Sequence, residues 1–427
     1  MTGQAWSYGQ KEHLITAFRS ITRPRRRLAG NLALSLGVIA VLLAAGEIVV
    51  RSYYTPENLG TVFRFDKTLG WALKPDSHLR AVDYQRNLDY MIKINSFGLR
   101  EREIPVSRGR RGRRILLLGD SVTFGTGVDA EWRYSDFLQR AMGEDNEVLN
   151  AGVAGWGNDQ ELLYFESSGW RLEPDVVIIQ LTMANDVLNN MLDHLYLSTA
   201  PKPTFVLDGD SLVLVNTDFE APMVPGHVRL RDFLKKSRLL VFVKRRLDRV
   251  KYGRVVRHSV EPLQPGFTKS GLEQNYSNWS VYRKAYGAEF ERGWQVTQAI
   301  LRRLADRCER MGTDLIVFGF PLRIEVDDAW REDLIHRSGI DAERLDMRRP
   351  YDRLAEFCRE QDIPLLYPLQ EFKDGLKQRY LYVKRDSHPN RYGHALAARI
   401  LAEELHRRYN MQFHFADVEL QGFGTLH

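Results

Sequence analysis

The sequence predicts an α/β protein: a parallel sheet covered by helices on both faces, in three α/β/α layers, preceded by one transmembrane helix. Three observations carry this. Short apolar runs end at Leu118, Asn150, Leu181 and Phe320, and those ending at Leu118, Asn150 and Phe320 are each followed by a stretch of helical periodicity. Those runs lack the polar alternation of a sheet with one wet face, so both faces are expected to be covered. A separate apolar run, Leu28 to Val50, carries Glu47 as its only ionisable group and approaches the ~20 residues that a spanning helix needs.

Taken in order, residues 1–27 read as a basic cytoplasmic tail and 28–50 as the transmembrane helix. Arg23, Arg25, Arg26 and Arg27 should stay inside, which sends everything after Arg51 across the membrane. A cleaved signal peptide is the competing reading, with Ala44, Ala45 and Gly46 small enough for cleavage. The uncleaved anchor is preferred, because the apolar run exceeds a signal core of about 7–15 residues. Residues 51–110 are rich in turn formers (TPENLG, GWALKPDS, NSFG) and read as an extended lead-in.

A domain over 111–410 follows. Its strands are expected at Ile115–Leu118, Val148–Asn150, Asp175–Leu181, Asp314–Phe320 and Pro364–Tyr367, and its helices at Tyr134–Met142, Gln160–Ser168, Ala288–Met311, Tyr351–Gln361 and His394–Tyr409. The rhythm breaks at about 190–288, which reads as an insertion, and 411–427 is a tail.

The net charge of +6 is unevenly placed: residues 1–51 hold seven Lys/Arg against two Asp/Glu, residues 229–257 hold twelve against two, and the remainder is net −9. An acidic bulk without interleaved basic and aromatic residues argues against nucleic acid as a partner. Within 229–257 apolar residues recur near helical spacing, so this segment reads as a basic amphipathic helix. It suits an anionic membrane surface, an anionic polysaccharide, or packing on the domain with a solvated charged face. Cys308 and Cys358 lie in helical segments and are expected as buried thiols, and no metal spacing is present.

Four pieces carry chemistry. Ser121 directly follows the first strand, where the carboxyl ends of parallel strands gather ligands. A serine nucleophile needs a base within hydrogen-bond reach and donors for a developing oxyanion. Gly155 after the second strand and Asn185 after the third are candidate donors, through a backbone N–H and a side-chain amide. Before the last helix stands Asp386-Ser387-His388, a carboxylate able to bond Nδ1–H and leave Nε2 for the serine. Alone, Ser121, Gly155 and Asn185 each read more readily as turn or cap residues, and Asp386 and His388 also read as a cap and a surface histidine. Asp386, His388 and His394 have no further clustered ligand to make a metal site.

Together these pieces resemble the SGNH, or GDSL, hydrolase family through GDSV (119–122), NAGVAG (150–155), ANDV (184–187) and DSHPN (386–390). The resemblance covers roughly 111–191 and 288–410 and implies a flavodoxin-like three-layer sheet. It further implies Ser121 as nucleophile, His388 as base with Asp386 as its orienter, and the Ser121 N–H, Gly155 N–H and Asn185 side chain as oxyanion hole. No cofactor or metal is implied. Two departures stand out: Met183 where the third block usually has glycine, and Asp-x-His where the last block usually reads Asp-x-x-His. The shorter spacing, with LGWALKP (69–75) and INSFGLR (94–100), is similar to the membrane-anchored bacterial branch. That implies a single-pass protein of the bacterial inner membrane with a periplasmic catalytic domain. The expected activity is an esterase on acyl groups, acetyl foremost, of an extracytoplasmic carbohydrate or envelope polymer. An O-acyltransferase to a polysaccharide hydroxyl and a non-catalytic polymer-binding or assembly protein are the alternatives.

Overall fold

The computed structural model describes residues 31–52, 62–83, 86–104, 112–196, 200–220, 237, 239–240, 242–243, 246–247 and 277–414. They fall into two units. The first contains helix α1 (Asn31–Ser52) and the described residues between 237 and 247. At 1.5 Å per residue the 22 residues of α1 span about 33 Å, enough to cross a bilayer core, and the helix suits a signal sequence or a single-pass anchor. Glu47 within it is paired with Arg51 Nε at 2.8 Å and accepts from Ser237 Oγ (2.8 Å) and Leu239 N–H (3.0 Å). The tail 1–27, most of the amphipathic helix expected over 229–257, and most of the tail 411–427 lie outside the described residues.

The second unit opens with two antiparallel hairpins, β1 (Phe63–Asp66) with β2 (Gly70–Leu73) and β3 (His78–Asp83) with β4 (Leu88–Lys93). The lead-in is therefore more ordered than turn-rich composition suggested. Its strands, mostly half-exposed and followed by no helix, lack the pattern of the sheet strands, and cross-strand pairing supplies what local sequence does not.

Five strands form one parallel sheet: β5 (Arg114–Leu118), β6 (Glu147–Asn150), β7 (Val176–Leu181), then β10 (Asp314–Gly319) and β11 (Leu365–Leu366). Between β7 and β10 a further hairpin, β8 (Thr204–Asp208) and β9 (Ser211–Val215), turns on Gly209-Asp210 with Gly209 at φ 57°. Across the sheet the order is β6-β5-β7-β10-β11, which in chain order is 2-1-3-4-5. Ile115 through Leu118 and Val176 through Ile179 are all 0% exposed, as the uninterrupted apolar runs required of a sheet covered twice.

Helix α2 (Ser121–Phe124) follows β5, α3 (Tyr134–Met142) follows α2, and α4 (Asn158–Ser167) and α5 (Asp186–Met191) follow β6 and β7. One helical group joins α3 to the last helix, Arg391–Tyr409, and the other joins α4 and α5 to the long helix Ala288–Arg310. The element boundaries match the sequence reading to within one or two residues at most ends. The last helix starts three residues earlier than periodicity placed it, because Asn390 caps it by accepting from Tyr392 N–H (2.8 Å) and Gly393 N–H (3.2 Å). Helices Asp328–Ser338 and Leu369–Gln378 escaped the sequence reading. Cys308 and Cys358 are both buried and free.

The order matters for function. The chain leaves β5 to one side for β6 and returns past it to β7, so the loops after β5 and β7 diverge. In open α/β sheets that divergence leaves a crevice at the carboxyl ends of the strands.

Candidate active site

Ser121 is delivered to that crevice by β5. Gly119 has no room for a side chain: a Cβ there would lie 2.1 Å from Thr123 Oγ1 and 2.7 Å from Gln180 Oε1. Both atoms are already engaged, since Thr123 Oγ1 bonds Tyr134 Oη (2.8 Å) and donates to Gln180 Oε1 (2.9 Å). Asp120 caps α2 by accepting the Val122 N–H at 2.9 Å, and the turn closes at Gly125 in the left-handed conformation, φ 79°. The N–H groups of Gly125 and Thr126 donate to Ser121 O at 3.1 and 3.0 Å.

The lead-in clamps this turn from below. Asn95 Oδ1 accepts from Phe97 N–H (3.0 Å) and Leu99 N–H (2.9 Å), a local turn that carries Arg100 inward. The Arg100 guanidinium, 1% exposed, donates to the carbonyls of Phe124, Gly125, Met91 and Val128 at 2.7–2.8 Å and lies over the rings of Phe124 and Tyr90. Burial, with Arg133 nearby, pulls this guanidinium down to about 9.

The loop before the last helix brings His388 to the serine. His388 Nε2 lies 2.8 Å from Ser121 Oγ, and Nδ1 lies 2.7 Å from Asp386 Oδ1, which also accepts the His388 backbone N–H at 3.1 Å. The second Asp386 oxygen pairs with Arg86 Nε at 2.9 Å. Arg385, just upstream, is held at φ 66°, a left-handed conformation that costs a non-glycine residue roughly 1–2 kcal/mol. Asn390 ties down the other end, donating to the carbonyls of Tyr380 and Tyr382 at 2.9 Å each.

Electrostatics set the tautomer. Burial works to raise the Asp386 carboxyl, but His388 and Arg86 outweigh it and hold the group well below the usual carboxylate range. An ionised Asp386 is an acceptor only, so Nδ1 carries a proton and the neutral ring turns its Nε2 lone pair to Ser121. Burial likewise works to lower His388, and Asp386 overcomes it, leaving the imidazole above its ordinary 6.5.

The other two predicted residues are placed differently. Asn185 Nδ2 donates to Asp120 Oδ2 at 3.1 Å, so Asp120 links the turn after β7 to the Ser121 turn. Met183 is fully buried, and its turn is closed by Asn185 N–H on Thr182 O (3.1 Å) and Thr182 N–H on Asp186 Oδ2 (2.7 Å). Gly155 adopts φ 87°, open to glycine far more readily than to other residues, beside Trp71, whose Nε1 donates to Ala154 O at 3.3 Å. Among the described residues no hydrogen bond engages the N–H of Ser121 or of Gly155. Asn150 at the start of the second block holds the α2 turn, donating to Thr123 O at 2.6 Å and accepting Gly152 N–H at 2.9 Å.

His394 is a core residue: buried, its Nδ1 accepts Tyr134 N–H at 3.2 Å, and burial pushes it down to about 3. Among the described residues no group of His, Cys, Asp or Glu could hold a metal ion. Behind the Asn185 turn, burial raises Asp186 and Glu161 well above the usual range, Asp120 adding to it in both. Asn158 Nδ2 donates to both, at 3.4 and 3.0 Å.

Sequence reasoning missed Arg86, Arg100 and the linking role of Asp120. Arg100 ends the INSFGLR stretch and Asp120 sits inside GDSV, so both stood within noted segments. Arg86 pairs locally with Asp83 at 2.9 Å, which gives no hint of the site, and its Asp386 partner lies 300 positions away.

No protein-family model matches the chain, and no curated protein matches it. Solved structures that resemble it include the acetylxylan esterase of Geobacillus stearothermophilus, at 14% identity and a TM-score of 0.34 over 70% of this chain and 96% of that one. Others are a GDSL-like lipase of Bacteroides thetaiotaomicron (13%, TM-score 0.33, 69% and 88%) and an alpha/beta hydrolase enzyme from the metagenome of Lake Arreo, Spain (14%, TM-score 0.35, 69% and 95%). TM-scores this low set no chemistry for the present chain.

Proposed function

We propose that this chain is a serine esterase of the SGNH type that removes acyl groups, acetyl foremost, from an extracytoplasmic carbohydrate or envelope polymer. The observation that carries the reading is the continuous line Ser121 Oγ, His388, Asp386, with contacts of 2.8 and 2.7 Å. Ser121 Oγ attacks the ester carbonyl as its proton passes to His388 Nε2, and Asp386 stabilises the imidazolium that forms. The N–H groups of Ser121 and Gly155 and the second amide hydrogen of Asn185 receive the oxyanion. Collapse of the tetrahedral adduct takes the proton from Nε2 to the departing sugar oxygen and leaves the acyl group on Ser121. Water, deprotonated by His388, then releases the acid. Transfer to a sugar hydroxyl follows the same steps with that hydroxyl in place of water. With α1 as anchor, arginines inside, the domain would face the periplasm.

The test uses the full chain in detergent. A fluorophosphonate probe should label the wild type and not Ser121→Ala, and hydrolysis of a short acyl ester should be lost in Ser121→Ala and His388→Ala. Activity surviving both substitutions sinks the assignment, and a wild type that neither labels nor turns over points to a binding protein. Release of acyl sugar in place of free acid, with an oligosaccharide present, identifies the transferase.

A further inference from the structure

Beside the His388 loop lies a cleft of about 1010 Å³, at the upper end of the ~300–1,000 Å³ of small-molecule sites. Its lining does not include Ser121, His388 or Asp386, yet it is built from their neighbours. Val383–Arg385 and Asn390–Tyr392 are the two flanks of the loop whose middle carries Asp386 and His388, and Gly127–Asp129 continue the turn that begins at Ser121. A molecule held there is held by the same two segments that position the Ser–His pair.

The chemistry of the lining is specific. Arg323 lies over the rings of Trp330 (4.4 Å) and Tyr380 (5.1 Å), and Arg391 over those of Trp132 (5.6 Å) and Tyr392 (4.7 Å). Two guanidinium groups are thus pre-stacked on four aromatic rings, with little side-chain entropy left to lose on binding. Arg323 pairs with Asp327 at 3.0 Å, whereas neither Arg391 nor Lys384 has a carboxylate partner among the described residues. Both are exposed. Aromatic rings present flat apolar surface to the C–H faces of pyranoses, and a stacked guanidinium still meets a carboxylate edge-on.

We propose that this cleft binds an acidic polysaccharide, one bearing carboxylates on its sugar rings, and that this polymer is the acyl-bearing substrate or acceptor of the adjoining serine. The second half of that statement rests on the esterase reading; the binding itself does not.

The experiment measures binding of a fluorescently labelled hexameric oligogalacturonate to the full chain in detergent, on the Ser121→Ala background. The comparison ligands are neutral maltohexaose and a short oligothymidylate, each at low and physiological salt. The acidic hexamer should bind at least about tenfold more tightly than the neutral one and weaken with salt. Arg391→Ala should raise its Kd about tenfold, with part of the affinity recovered in Arg391→Lys. Equal binding of the neutral hexamer, tighter binding of the oligothymidylate, or an unchanged Kd in Arg391→Ala overturns the proposal. Acidic-hexamer binding by a protein whose wild type lacks hydrolysis and probe labelling would leave the cleft standing and remove the esterase reading.

Discussion

Replacing Asp386 by asparagine tests the hydrogen-bond logic of the site directly. Three donors converge on this carboxylate: His388 Nδ1 at 2.7 Å and His388 N–H at 3.1 Å on Oδ1, and Arg86 Nε at 2.9 Å on Oδ2. An amide offers one acceptor and one NH₂. With its oxygen toward His388 it serves two donors but turns NH₂ against Arg86. With its oxygen toward Arg86 it opposes the His388 backbone N–H and presents NH₂ to Nδ1, which must then become an acceptor, and the proton moves to Nε2, aimed at Ser121. That tautomer cannot accept the serine proton. The charged Arg86 favours the second arrangement, so Asp386→Asn should lower kcat by about 10³–10⁴, the loss typical of a wrong tautomer, with KM little changed. Arg86→Ala added to Asp386→Asn removes the bias and should return about tenfold. The pH profile gives an independent reading. Asp386 holds His388 above 6.5, and as the proposed base it works only when neutral, so wild-type activity should rise through a pKa above 6.5. In Asp386→Asn that limb should move to lower pH. Steady-state ester hydrolysis across pH measures both effects, and a single variant within tenfold of wild type, or an acid limb that does not move, refutes the reasoning.

Asn185→Ala removes one proposed oxyanion donor and should cost about 10²–10³ in kcat with KM near wild type, measured in the same assay. Gly119→Ala places a methyl 2.1 Å from Thr123 Oγ1, an overpacking expected to cost roughly 1–3 kcal/mol in denaturant melts and to slow probe labelling of Ser121. Burial holds Glu325, hydrogen-bonded to Tyr282 and Tyr351, up at about 7 against 4.5 unfolded. Its contribution to stability is complete below 4.5 and is lost as pH rises through about 7, a change of about 3 kcal/mol. Glu325→Gln should erase that slope between melts at acid and at neutral pH, and an identical slope in both proteins would remove the burial argument.

Much of this was legible in the chain. The strands of the sheet are continuous apolar runs, a signal that needs no tertiary knowledge because a strand covered on both faces tolerates no polar residue on either. β5, β6, β7 and β10 were placed to within a residue or two. The lead-in hairpins and β8–β9 were not, since none of their strands is followed by the helical stretch that marks a strand of the parallel sheet. Helix Asp328–Ser338 buries only Leu334, so it has no apolar stripe to read, and it was missed for that reason.

Of the candidate site, sequence by itself determined which residues to examine: Ser121, Asp386 and His388 stand at strand ends and helix starts, positions that local chemistry marks. Gly155 and Asn185 were named by the same rule, and their part in an oxyanion hole remains a proposal. Only the tertiary structure decided that 267 residues of separation between Ser121 and His388 close to 2.8 Å, that Arg86 loads the second Asp386 oxygen, and that Arg100 clamps the Ser121 turn. It also decided that the flanks of the His388 loop form an arginine and aromatic cleft. The physical reason is the same throughout: propensity and periodicity report on neighbours a few residues apart, whereas a charge pair or a hydrogen bond across the sheet depends on strand order, and the 2-1-3-4-5 order is set by packing the whole chain.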